Sequence, residues 1–100
     1  MAAVTVHFLE HGWAGDIKRN RAIVEIASAT TDSVTAPQVG LKWIEAIEAT
    51  GRIGSYDGHT LVGASHATLN KTSDILICYD GTDADAALST GNVELYFYGR

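Results

Sequence analysis

A chain of 100 residues makes one domain, residues 1–100, and its 46% hydrophobic and 19% charged residues exclude a disordered chain. The formal net charge of -5 argues against a nucleic-acid partner, because phosphate backbones are bound by basic surfaces. No apolar run approaches the ~20 residues of a membrane helix, so no membrane partner is expected either.

Met1-Ala2-Ala3-Val4 lacks a basic leader followed by an apolar segment, so no secretory signal is expected. Val4 to Leu9 then alternates as a strand, with Val4, Val6 and Phe8 on one face. Gly12 and Gly15 break that pattern, and residues 10–20 read as a polar loop or irregular strand anchored by Trp13. Lys18, Arg19 and Arg21 form the single basic cluster and read as a solvated turn or strand start.

Arg21 to Ala29 alternates again, rich in β-branched residues that suit a pleated surface. Ala22, Val24 and Ile26 are expected to face inward, with Arg21 and Glu25 outward; Ile23 falls on the outer face and wants a partner. Ala29-Thr30-Thr31-Asp32-Ser33 then reads as a turn, since Asp and Ser side chains bond local backbone groups. Thr35 to Gly40 reads as one helical turn, capped by Thr35, opened by Pro37 and left through Gly40. Leu41 to Thr50 fits two conformations. Leu41, Ile44 and Ile47 fall near helical spacing, but ten residues are short for a helix, and a strand is favoured.

Asp57-Gly58 is a hairpin pair, followed by a weakly patterned strand over residues 59–69 and a turn at Asn70–Asp74. Ile75 to Tyr79 reads as a central strand in which Cys78 packs as a small apolar group. As the single cysteine it allows no intrachain disulfide and no thiolate zinc site, which suits a reducing cytoplasm. After a polar connection, Asn92 to Tyr98 closes the chain with Val93, Leu95 and Phe97 inward and Glu94, Tyr96 and Tyr98 outward. The expected fold is all-β: a compact antiparallel β-sandwich or small barrel of six or seven short strands with one short helical turn.

Chemistry-bearing patterns are sparse. His7 and His11 are four apart, a spacing that would share a metal on a helix but not along a strand and loop. Asp80, Asp83 and Asp85 crowd one loop without the glycine and glutamate positions of a calcium hand. Ser65 adjoins His66, but neighbours on a strand point to opposite faces, which keeps them from forming a nucleophile–base pair. No phosphate loop, dinucleotide fingerprint or serine elbow occurs. No catalytic residue, metal site or cofactor is therefore expected, and the chain does not read as an enzyme. Trp13, Tyr56, Tyr96 and Tyr98 are the candidate protein-contact residues, because aromatic side chains concentrate at interfaces. Trp43 shares with Trp13 the choice between core and contact.

One stretch carries a resemblance. Ala22 to Ile47 runs as an alternating strand, Thr31-Asp32-Ser33-Val34-Thr35-Ala36, Gly40-Leu41, then a second strand through Ile44 and Ile47. This resembles small virion proteins of tailed bacteriophages, and Gly91-Asn92-Val93-Glu94-Leu95 is similar to their closing strand. The resemblance implies a compact β-sandwich or barrel that decorates or cements the capsid shell. The implied partners are the major capsid protein or another virion protein, with self-association on the particle after assembly in the host cytoplasm. Val34, Gly40, Leu41 and Ile44, shared with the pattern, define the fold. The alternatives are a tail, neck or fibre component, or a cellular β-sandwich module binding a protein, or a carbohydrate stacked on Trp13, Tyr56 and Tyr96.

Overall fold

The computed structural model describes residues 2–28 and 30–100, without the side chains of Ala2 and Ala3. The chain is almost wholly β. Its strands are β1 (Ala2–Ala3), β2 (Thr5–Glu10), β3 (Trp13–Ala14), β4 (Ile17–Ile26), β5 (Asp32–Ser33), β6 (Ile44–Ala49), β7 (Gly54–Tyr56), β8 (His59–Leu61), β9 (His66–Asn70), β10 (Ile75–Tyr79) and β11 (Gly91–Gly99). The one helical element is a 3-10 turn, Ala36–Val39. A small sheet has the order β1-β5-β10-β9 and a large sheet the order β2-β4-β11-β8-β7, with β3 on β4 and β6 on β11. The two curled sheets make the expected small sandwich or barrel.

Strand β11 organises the large sheet. Along one side it pairs antiparallel with β4 from Gly91↔Ile26 to Gly99↔Lys18. Its other side is divided: Asn92 meets Leu61 of β8 in parallel, and Leu95 to Gly99 meet β6 antiparallel. This register puts Ala22, Val24 and Ile26 beside Val93, Leu95 and Phe97, and all six are buried with Leu76, Cys78, Val34, Val39 and Leu41 in one core. Each large side chain fully buried there contributes about 1.5–3 kcal/mol of transfer free energy.

Local chemistry explains the connections. Asp32 Oδ2 accepts from the amides of Ala27 and Ser28 at 2.7 and 3.0 Å, the expected side-chain clamp. Asp32 and Ser33 themselves, however, form strand β5 between β1 and β10 and are not part of the turn, and Ala29 lies outside the described residues. The Thr35 amide donates to Gln38 Oε1 at 2.9 Å, and Gly40 leaves the 3-10 turn at φ 74°. Asp57 and Gly58 have φ of 50° and 79°, the two positive values that a tight hairpin turn of the primed type requires.

Residues 44–49 are strand, as favoured, but the faces differ from simple alternation. Ile44 and Ile47 both turn toward the core although they are three apart. The register shifts between Tyr98 and Gly99, so Ile47 pairs with Phe97 while Ile44 pairs with Gly99. The irregularity absorbs one residue, which is how a strand acquires helix-like spacing.

Two other expectations change. The single strand over 59–69 is two: β8 belongs to the large sheet and β9 to the small one. The chain crosses between them at Gly63, where an added Cβ would lie 2.5 Å from Ile53 Cγ2. Trp13 does not anchor its loop, being 65% exposed; backbone pairing of β3 with β4 holds the segment instead. Ile23 does find its partner: it is completely buried outside the main core, between His7 and Glu94 in the register.

Candidate functional site

The outer face of the large sheet holds the three candidate tyrosines. In β4 the side chains of Arg19, Arg21 and Ile23 alternate outward, opposite Tyr98, Tyr96 and Glu94 of β11. Glu94, with only 1% of its side chain exposed, accepts from Arg21 Nη1 and from Arg52 Nε, both at 3.1 Å. Arg21 Nε also lies 3.0 Å from Glu10 Oε1. The β7–β8 hairpin lies on this network, with the Tyr56 ring 3.9 Å from the Arg52 guanidinium and 5.3 Å from that of Arg21. The His59 ring of the same hairpin lies tilted against the His7 ring at 4.2 Å, and His7 is bonded to Glu25.

Tyr96 and Tyr98 are equally occupied. The Arg19 guanidinium sits 3.6 Å over the Tyr96 ring, and Arg19 Nε donates to Tyr98 Oη at 3.0 Å. Tyr98 Oη in turn donates to Glu48 Oε1 at 2.9 Å. All three candidate tyrosines thus have intramolecular cationic partners. These contacts clamp the hairpin and the edges of the sheet together.

Trp13 behaves differently. It projects from β3 beside Lys18, and across from it stands Trp43, 50% exposed, just ahead of β6. Gly99 makes this approach possible: a Cβ there would lie 2.0 Å from the Trp43 carbonyl oxygen, so β11 ends against the Trp43 backbone. Backbone bonds fix the crossing, from Trp43 N to Arg100 O and from Arg100 N to Trp43 O, each 3.3 Å. The two indoles flank a groove of about 380 Å³ whose other lining includes Asp16, Lys18, Lys42 and Arg100. A second groove of about 450 Å³ adjoins it and shares Lys42 and Trp43, extending past Pro37 and Leu69 to Lys71 and Asp74. Trp43 Nε1 donates to Glu45 Oε1 at 3.2 Å, which steadies its ring without covering it.

The remaining reactive side chains are placed as follows. Ser65 Oγ lies 3.0 Å from His66 Nδ1, because Ser65 precedes β9 and is free of strand alternation; the expected separation does not hold. His66 Nε2 is 3.7 Å from Asp85 Oδ2, so the order resembles a nucleophilic triad. The polarity is opposite, however. Ser65 Oγ donates to Asp80 O at 2.8 Å, which leaves its lone pairs for the His66 tautomer that carries a proton on Nδ1. A serine whose proton is held by a carbonyl is a clamp on the strand ends and is not activated toward attack.

His7 and His11 diverge, His7 toward Glu25 and His11 against the Phe8 ring at 4.7 Å. Among the described residues no group of three His, Cys, Asp or Glu side chains could hold a metal. Asp80 Oδ1 accepts from Thr82 N at 3.0 Å and Oγ1 at 2.7 Å, and the Thr82 backbone amide leads in lowering its pKa. Burial pushes the Cys78 thiol up to about 12, with Asp32 adding to the shift.

No protein-family model matches the chain, and neither a curated protein nor a solved structure is significantly similar to it. The Trp13–Trp43 grooves are therefore the candidate site on geometry alone. The Arg21–Glu94–Arg52 network escaped sequence reasoning. Its one signal was Glu94 itself, a carboxylate within an otherwise apolar and aromatic strand.

Proposed function

We propose that the chain is a phage structural protein that decorates or cements a capsid shell, attaching through the Trp13–Trp43 surface. The observation that carries this reading is the pair of exposed indoles flanking one groove. Tryptophan is the side chain most enriched among the anchors of protein interfaces, where it fills a partner's pocket. The β-rich body and the likeness of Ala22–Ile47 to small virion proteins support the same reading. On a shell, many weak copies act together through multivalency.

The carbohydrate reading is weaker, because Tyr56 and Tyr96 already have arginines on their rings, leaving Trp13 alone of its three platforms. The test is quantitative mass spectrometry of purified particles. A copy number comparable to that of the shell subunit is expected. A few copies would move the protein to the tail, neck or fibre, and absence from particles would overturn a virion role.

A further inference from the structure

We infer that the two grooves take the acidic Asp80–Asp85 loop of a second copy of this chain, in a head-to-tail contact. Three observations carry it. Of the seven lysines and arginines, Arg19, Arg21 and Arg52 are committed to the outer-face tyrosines and Glu94. The other four, Lys18, Lys42, Lys71 and Arg100, all line the grooves. With them stand three acids: Asp16 and Asp74 in the lining, and Glu45 paired to Arg100 at 3.5 Å. Four bases and three acids give the groove region +1, so the rest of a -5 chain carries -6.

The occupant we choose is the connection on which three of the nine remaining acids, Asp80, Asp83 and Asp85, fall within six residues. Asp83 and Asp85 are exposed on the connection that follows β10, with the small apolar residues Ala84 and Ala86 between and after them. Lys71 sits in the turn that precedes β10. Basic groove and acidic loop thus lie at opposite ends of the same strand of the small sheet. Carboxylates from one copy would meet Lys42 and Lys71 of the next, while the alanines pack on Trp43.

Such a contact joins two different patches, so it repeats from copy to copy and builds a ring if it closes or a string if it does not. Exposed ion pairs contribute only about 0.2–1 kcal/mol each and are screened by salt, so the association is weak and sensitive to ionic strength. The contact uses the Trp13–Trp43 surface proposed above for attachment to a shell, so at any one groove the second copy and the shell exclude each other.

The experiment uses the purified chain, whose only two tryptophans are Trp13 and Trp43. Sedimentation velocity and tryptophan emission are followed against concentration at about 0.01 M salt, where charges act over about 30 Å, and at about 1 M, where they act over about 3 Å. Expected are concentration-dependent oligomers with blue-shifted emission at low salt, and monomers at high salt. Lys42→Glu and Asp83→Lys should each abolish the oligomers, and mixing the two variants should restore association. Both sites are exposed, and protection of Cys78 from thiol reagents verifies folding. A chain that stays monomeric at low salt overturns the inference, as does association that Lys42→Glu leaves unchanged. Neither result touches the particle copy number, so the shell reading would stand or fall separately.

Discussion

Two aromatic regions of this molecule have opposite fates. On the outer face of the large sheet, Tyr56, Tyr96 and Tyr98 are met by Arg52 and Arg19, and the charge is settled internally through Glu94 and Glu48. At the end of β11, Trp13 and Trp43 stand beside four cationic side chains and remain open. Aromatic density therefore does not by itself tell whether the rings are already occupied within the chain. What separates the regions is whether the ring faces and nearby charges already have partners within the chain.

The sharpest way to break this comparison is Glu94→Ala. The carboxylate is buried, and its loss leaves Arg21, whose side chain is 13% exposed, with only the half-exposed Glu10 as a countercharge. Removing one member of a buried pair costs about 3–5 kcal/mol, which a shift in denaturant midpoint would measure. If the outer face were a solvated surface, the midpoint would barely move. Cys78 supplies an independent readout: its raised pKa and burial predict no labelling until the core opens, and faster labelling in this variant.

Gly99→Ala comes next. The new methyl would collide with the Trp43 carbonyl, an overpacking that costs about 1–3 kcal/mol. Because the same crossing sets the second indole, altered tryptophan emission should accompany the lost stability. Stability lost without a change in emission would show that Gly99 does not place Trp43.

Tyr56→Leu keeps much of the apolar area but removes the ring beneath Arg52 and Arg21, with an expected loss of about 0.5–1 kcal/mol in the same denaturant assay. Trp13→Ala should change stability by no more than about 0.5 kcal/mol, as for exposed positions generally, while reducing binding to particles stripped of the chain. A large stability loss for Trp13→Ala would make it structural and erase the contrast between the two regions.

The smallest effect belongs to Asp80, where the folded pKa lies below the usual carboxylate value because of the bonds from Thr82. Its contribution is present above the unfolded pKa and is lost as pH falls through the folded one. Asp80→Asn should flatten the acid limb of a stability–pH curve, and an unchanged limb would place the pH dependence elsewhere.

By itself the amino-acid sequence determined the all-β class, the inward faces of Arg21–Ile26 and Asn92–Tyr98, the Asp57-Gly58 hairpin and the Gly40 exit. Each is a local property, set by period-two alternation or by a backbone angle that few residues tolerate. The spacing of Ile44 and Ile47 misled an alternation rule, since a register shift at Gly99 depends on a strand half the chain away. Tertiary structure alone decided that residues 59–69 split between two sheets, that Glu94 is buried between Arg21 and Arg52, and that Ser65 bonds its neighbour. It also decided that Trp13 and Trp43, thirty positions apart, share a groove while the tyrosines do not. These outcomes depend on which strands become neighbours and in what register, and side chains from distant segments meet only after that pairing is chosen.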